Sequence, residues 1–272
     1  MNWFEAIVLG LAQGLTEFLP ISSTGHLRII PAFAGWDDPG AMFTAVVQLG
    51  TMLAVVLYFR QDLQRITRVW LRSFRDRGVR DDLDARMGWY ITLATVPIVV
   101  FGLIFRDQIE TGARNLYLIG TVLIVLGLVL LLAEAVGSRT RTLEEVTRTD
   151  AIWVGLAQAM ALVPGTSRSG ATITAGLFLG LERGAAARFS FLLSIPAVVL
   201  SGLYGLTDLI AGEDEVSFGA LTIAIVVAFV SGYASIAFLL RYLANHSTLI
   251  FVIYRVALGA AVIALTASGT IS

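Results

Sequence analysis

Apolar residues run along this chain in long unbroken stretches, at about 41–59, 88–105, 115–136, 186–206, 218–240 and 249–267. Each is close to the roughly 20 residues a helix needs to cross the hydrocarbon of a bilayer, so the pattern predicts six transmembrane helices. Two further apolar stretches are interrupted. Residues 6–33 carry Gln13, Glu17, Pro20, Ser22, Ser23 and His26 in their middle, and residues 151–182 are broken by Pro164-Gly-Thr-Ser-Arg-Ser-Gly170. The apolar run on each side of these breaks is about 7–13 residues, the length of a re-entrant half-helix. Non-helical backbone at membrane depth persists only where protein or a watery cavity covers it, so both breaks are candidate site linings.

The pattern also repeats. Ala6-Ile-Val-Leu-Gly-Leu-Ala-Gln13 matches Ala151-Ile-Trp-Val-Gly-Leu-Ala-Gln158 at six of eight positions, and the same register places Ser22 on Ser167 and Gly25 on Gly170. One residue further along, Phe43, Leu57, Tyr58, Asp62 and Leu63 fall on Phe189, Leu203, Tyr204, Asp208 and Leu209. Each half therefore reads as a re-entrant helix hairpin followed by three spans. Three crossings is an odd number, so the second half is expected to lie upside down relative to the first. The expected fold is an all-α polytopic membrane protein of two inverted-topology repeats, which places a site where the halves meet. Repeat one covers about 1–136, a connector 137–150 and repeat two about 151–272, all within one integral membrane domain.

Composition agrees and narrows the function classes. The AVILMFWYC set makes up 57% of the chain, with 26 glycines besides and 14% charged residues. A soluble domain averages about 45–50% apolar residues, glycine included, and about 25% charged. A soluble globule, a disordered chain and a collagen are excluded, and a net charge of −1 leaves no footprint for nucleic acid. The absence of cysteine removes disulfides and thiolate chemistry, and two histidines cannot build a histidine-rich metal site. Met1-Asn-Trp-Phe-Glu5 lacks the basic start and cleavage site of a signal peptide. Of the 39 charged residues, 13 lie between Arg60 and Arg86. Eight of the arginines fall in 60–87, three in 137–150 and two in 183–188, whereas 207–217 holds Asp208, Glu213, Asp214 and Glu215. By the positive-inside rule the arginine-bearing side is cytoplasmic, and the first hairpin enters from outside. Arg65, Arg68, Arg72 and Arg75 recur at helical spacing beside Trp70 and Phe74, as on a surface helix held against anionic headgroups.

Candidate chemistry concentrates at the breaks. Gln13 and Glu17 share one helical face. Pro20 ends that half-helix, and Ser22, Ser23 and Thr24 can cap the next, whose free N–H groups favour an anion such as phosphate. Ser23 and His26, three apart, could approach across one turn as nucleophile and base. Glu17 could orient that pair, share its proton or hold a divalent cation. At the second break Gly165 and Gly170 allow close backbone approach, Ser167, Ser169 and Thr172 supply hydroxyls, and Arg168 offers a planar fork for phosphate. A charge at the bilayer centre costs roughly 2.5–3.5 kcal/mol on insertion scales, which makes Glu17 and Arg168 expensive unless they pair or work. Arg255, inside the last span, either meets a carboxylate or enters the site. Glu134 is expected to snorkel from a span end, and His246 to sit solvated in a turn.

Gln13-Gly-Leu-Thr-Glu-Phe-Leu-Pro-Ile-Ser-Ser-Thr-Gly-His26 and Pro164-Gly-Thr-Ser-Arg-Ser-Gly-Ala-Thr172 closely resemble the two signatures of bacterial undecaprenyl-diphosphate phosphatases, the integral membrane enzymes of the bacitracin-resistance family. Phe43-Thr-Ala-Val-Val-Gln-Leu-Gly50 and Ile253-Tyr-Arg255 also look like family segments, so the resemblance spans nearly the whole chain. It implies removal of one phosphate from a C55 prenyl diphosphate in the bacterial plasma membrane, regenerating the lipid carrier of wall synthesis. It further implies Ser23 as nucleophile, with His26 and Glu17 as acid/base or metal-associated partners and Arg168 as phosphate clamp. Gln13, Ser22, Thr24, Gly165, Ser167, Ser169 and Thr172 would line the substrate site. A divalent cation, magnesium or calcium, is implied, as is a site toward the periplasmic face. Many relatives carry Glu at position 13, where this chain has Gln, so any metal-holding role shifts to Glu17. A lipid flippase or secondary transporter on inverted repeats is the alternative, since fold is not function. The oligomeric state is open, a homodimer among the alternatives.

Overall fold

The structure, a computed structural model, describes residues 1–105, 115–210 and 218–271. Glu213, Asp214 and Glu215 of the expected acidic loop lie outside them. Among the described residues there are eleven α-helices. They are α1 Trp3–Phe18, α2 Ser23–Ala34, α3 Gly40–Tyr58, α4 Arg60–Ser73, α5 Leu83–Ile104, α6 Leu116–Val136, α7 Arg148–Ala159, α8 Arg168–Phe178, α9 Arg183–Ile210, α10 Phe218–Leu243 and α11 Leu249–Ala267. Five of them (α5, α6, α9, α10 and α11) are long and apolar enough to cross a membrane, and six if α3, which turns through 79° into α4, is counted. Large apolar side chains face outward along these helices, among them Leu103, 75% exposed, and Phe218, 82% exposed. Such an exterior is stable only against lipid. The chain is thus an all-α polytopic membrane protein, and the interrupted stretches are short helix pairs, α1–α2 and α7–α8.

The bend between α3 and α4 explains why the arginine-rich segment does not continue a span. α4 turns Ile66 inward and leaves Arg65, Arg68 and Arg72 exposed, an amphipathic surface helix. It packs on α5 through Trp70, whose ring lies over Gly88 and edge-on to Trp89 at 5.8 Å. α5 starts five residues earlier than apolarity alone predicts because Asp82 caps it, accepting from the Asp84 N–H.

Helices from the two halves interleave. α1 packs on α10, and α7 on α5; α10 also packs on α3, α9 on both α3 and α5, and α11 on α6. Glycines permit the closest approaches. A Cβ on Gly10 would lie 2.5 Å from the Ala224 carbonyl oxygen, and one on Gly155 would lie 2.6 Å from the Ala94 carbonyl oxygen. Small residues at such contacts let membrane helices gain dispersion along their whole length. Glu134 behaves differently from expectation. Instead of reaching outward it is buried, accepting from Arg139 and Arg183 and, at 2.8 Å, from the Thr248 hydroxyl. It thereby joins the end of α6 to the starts of α9 and α11. Arg141 makes a second tie, donating to Asp150 at 2.6 Å and to the Leu179 carbonyl at 2.8 Å. Burial would push the Asp150 carboxyl up, but the Arg141 guanidinium and hydrogen bonds from Thr147 outweigh it and hold Asp150 below the usual carboxylate range.

Candidate active site

Both breaks end in the same device. Ser22 caps α2 and Ser167 caps α8, each taking the N–H of a glycine three residues on, Gly25 at 3.3 Å and Gly170 at 3.1 Å. Both serines hold positive φ, 73° and 66°. An L-residue in this region costs on the order of 1–3 kcal/mol and persists where surrounding structure enforces it, commonly at a functional site. The enforcing contacts are present. Arg255, 1% exposed, donates to the carbonyls of Pro20, Gly165, Thr166 and Leu123 at 3.1–3.2 Å. It thus holds carbonyls of both breaks and of α6, and of the two outcomes expected for it, this is entry into the site region. The Ser169 hydroxyl donates to the Leu19 carbonyl at 3.0 Å and adds a direct tie between the breaks.

The caps deliver Ser23 and Arg168 as the first residues of their helices, and the two meet on one carboxylate. Glu17, 7% exposed on the last turn of α1, accepts from the Ser23 hydroxyl at 2.5 Å and from Gln13 Nε2 at 2.9 Å through Oε2, while Arg168 ion-pairs with its Oε1. The two charges that sequence marks as costly therefore neutralise each other across the two breaks. The structure also re-pairs His26. The Ser23 hydrogen goes to Glu17, and both imidazole nitrogens are taken elsewhere: Nδ1 lies 2.7 Å from the Ser22 carbonyl oxygen and Nε2 lies 2.6 Å from the Tyr254 hydroxyl. The expected approach of Ser23 to His26 is replaced by a Ser23–Glu17 pair.

The remaining candidates surround this core. Ser167 and Ser169 hydroxyls are 3.2 Å apart, Ser22 and Thr24 hydroxyls 3.3 Å, and Thr172 reaches Ser190 at 2.6 Å. Gly165 contributes its carbonyl to Arg255 at 3.2 Å and takes φ 88°, a conformation suited to glycine. Two residues escaped the sequence reading. Ser190 carries no signal in an apolar span, and Tyr254 was visible only as a neighbour of Arg255. Among the described residues no group of three His, Asp or Glu side chains forms a metal cage. Glu17 is already shared by three donors, and the buried Gln13 Oε1 has no protein partner.

The family described as "Bacitracin resistance protein BacA" matches residues 6–261. Among curated relatives, the "Undecaprenyl-diphosphatase" of a Nocardioides species is 53% identical, covering 100% of this chain and 99% of that protein. That of Chloroherpeton thalassium is also 53% identical, covering 99% and 98%, and that of Mycolicibacterium smegmatis is 52% identical, covering 100% and 99%.

Proposed function

Because this chain belongs to the bacitracin resistance (BacA) family, we infer that it is an undecaprenyl-diphosphatase. It hydrolyses undecaprenyl diphosphate to undecaprenyl phosphate and inorganic phosphate in the bacterial inner membrane, recycling the lipid carrier for wall synthesis. The observation that carries the chemistry is the convergence of Ser23 and Arg168 on Glu17 at the meeting of the two breaks.

The proposed reaction follows from that geometry. Ser23 Oγ attacks the terminal phosphorus while its hydrogen passes to Glu17 Oε2, to which it is already bonded. The bond from phosphorus to the bridging oxygen breaks and undecaprenyl phosphate leaves. Glu17 gives that proton to the departing phosphate. Water then attacks the phosphoserine, Glu17 takes the water's proton and passes it to Ser23 Oγ as the phosphorus–serine bond breaks, and inorganic phosphate is released. Arg168 turns from Glu17 to the transferring phosphoryl oxygens as a bidentate clamp. The N–H groups at the starts of α2 and α8 aim at the same oxygens, and Ser22, Thr24, Gly165, Ser167, Ser169 and Thr172 line their surroundings. Catalysis rests on positioning and charge stabilisation more than on covalent machinery, as expected for phosphoryl transfer.

A magnesium or calcium ion would be held by Glu17 and Gln13 Oε1 together with the substrate's phosphate oxygens. Hard oxygen donors suit either ion, and magnesium commonly uses one or two carboxylates plus substrate phosphates. When bound, the cation would neutralise phosphate charge.

The architecture that supports this reading is a pair of inverted-topology repeats, α1–α6 and α7–α11, with the site facing the periplasm. Matched serine caps and the reciprocal packing of α1 on α10 and α7 on α5 favour it. Gly78→Cys and Gly212→Cys should then label from opposite sides of the membrane, and labelling from one side would overturn the inversion. The activity itself is tested in detergent, where no second compartment exists, by phosphate release from prenyl diphosphates with and without chelator. Head-group movement in liposomes with no hydrolysis would favour a carrier instead.

A further inference from the structure

His26 is buried, and its two ring nitrogens have partners that assign its protons. Nδ1 faces the Ser22 carbonyl oxygen at 2.7 Å, and a carbonyl only accepts, so Nδ1 carries hydrogen. Among the described residues no carboxylate lies within ion-pair distance of the ring, and a buried imidazolium without a partner is costly. The ring is neutral, Nε2 bears the lone pair, and the Tyr254 hydroxyl donates to it at 2.6 Å. The two rings also lie nearly parallel, 7° apart with their centroids 5.6 Å from each other, so the pair is held by ring contact as well as by the hydrogen bond.

We propose that Tyr254 is a positioning residue of the phosphatase reaction, fixing His26 as the neutral Nδ1–H tautomer with its basic nitrogen turned toward α11. The proposal rests on the catalytic reading above and deepens it. Ser22 orients the imidazole from one end, through the carbonyl that lies 2.7 Å from Nδ1. Tyr254 orients it from the other end, anchored beside Arg255, whose guanidinium holds carbonyls of both breaks. The base of Ser23 is then Glu17 alone, and His26 supports the first turn of α2 on which Ser23 sits. Tyr254 is 42% exposed, and its hydroxyl is the atom that hydrogen-bonds to the imidazole.

The test combines a spectroscopic and a kinetic measurement on the full-length protein in detergent. The chain has two histidines, so His246→Asn, in an exposed turn, leaves His26 as the sole histidine for ¹⁵N labelling. The expected spectrum has a protonated Nδ1 and an unprotonated, hydrogen-bonded Nε2. Tyr254→Phe keeps the ring, and should move the Nε2 resonance to its unbonded position and lower kcat about tenfold, the scale of one hydrogen bond in a buried polar site. KM for the prenyl diphosphate should stay within about twofold, and His26→Gln combined with Tyr254→Phe should lose no more than His26→Gln alone. An unprotonated Nδ1, a doubly protonated ring, an Nε2 resonance unmoved by Tyr254→Phe, or additive losses in the double variant would each overturn the proposal. Absence of phosphate release by the parent protein would instead sink the catalytic reading, since the ¹⁵N spectrum reports the Tyr254–His26 pairing independently of turnover.

Discussion

Glu17 and Arg168 test whether the site is built on mutual neutralisation. Both are largely buried, with side-chain exposures of 5% and 13%, and each is the other's charge partner. Removing one partner from a buried ion pair leaves an uncompensated charge and typically costs about 3–5 kcal/mol. Glu17→Gln strands the Arg168 guanidinium; Arg168→Gln strands the carboxylate, although Ser23 and Gln13 still donate to it at 2.5 and 2.9 Å. Each retained hydrogen bond to a charge is worth about 1.5–3 kcal/mol, so Arg168→Gln should be the milder single change. Replacing both ends with amides removes both charges and should restore stability to within about 1–2 kcal/mol of the parent, because a neutral pair escapes the desolvation cost. The assay is the unfolding midpoint in detergent followed by tryptophan fluorescence, alongside phosphate release from prenyl diphosphate. All three variants should be inactive while stability follows the order parent, double variant, Arg168→Gln, Glu17→Gln. If the double variant is less stable than either single variant, the charges are not compensating each other and the electrostatic account of the site is wrong.

Other consequences are as specific. Ser23→Ala should lower phosphate release by at least 10³-fold while costing about 1–2 kcal/mol of stability through its lost bond to Glu17; near-normal turnover would point to direct attack by water. Arg255→Leu removes the Arg255 donors from the carbonyls of Pro20, Gly165 and Thr166 in the breaks and should destabilise the protein by more than about 3 kcal/mol, read as a lower unfolding midpoint, with activity lost even in molecules that remain folded. Asp150 titrates below its unfolded value of about 3.9, so it stabilises the fold above that pH and loses its contribution as pH falls through its lower native pKa. Asp150→Asn should therefore lower the unfolding midpoint at pH 7 and flatten its acid dependence below about pH 4.

The long helices were legible because an apolar run of bilayer length admits few other structures; α11 occupies the predicted 249–267. The breaks were legible because Glu17 and Arg168 are costly in such a run. Their union was not, since sequence spacing says nothing about contacts across 151 residues. The same blindness hid the Tyr254–His26 bond, which spans 228 residues. Local spacing put Ser23 near His26, and there it misled. The positive φ of Ser22 turns the start of α2 so that the Ser23 hydroxyl faces back to α1, while the imidazole one turn on faces α11. Glu134 was misplaced for a related reason: a carboxylate at a span end snorkels unless partners converge on it, and here Arg183 and Thr248 come from two distant helices.

The register of the self-similar segments sets unlike residues against each other at the two breaks. Aligning Ser22 with Ser167 sets Ser23 against Arg168, Glu17 against Leu162 and His26 against Ala171. The capping serines match while their neighbours differ, one half carrying Ser23 and Glu17 and the other Arg168. If the segments form a true repeat, their packing should respond alike in both halves. Gly10 and Gly155 occupy the same register position, and each presses on the backbone of another helix, at Ala224 in α10 and Ala94 in α5. On an exposed helix, glycine to alanine gains about 1 kcal/mol. Here the added Cβ would fall 2.5 Å from one carbonyl oxygen and 2.6 Å from the other, closer than real contacts allow, so backbone must move. Overpacking of this kind costs about 1–3 kcal/mol, enough to reverse the propensity gain. Gly10→Ala and Gly155→Ala should therefore each lower the unfolding midpoint, and by similar amounts. A rise in stability for either alanine, or tolerance in one half with collapse in the other, would show that the two contacts are not copies of one packing solution.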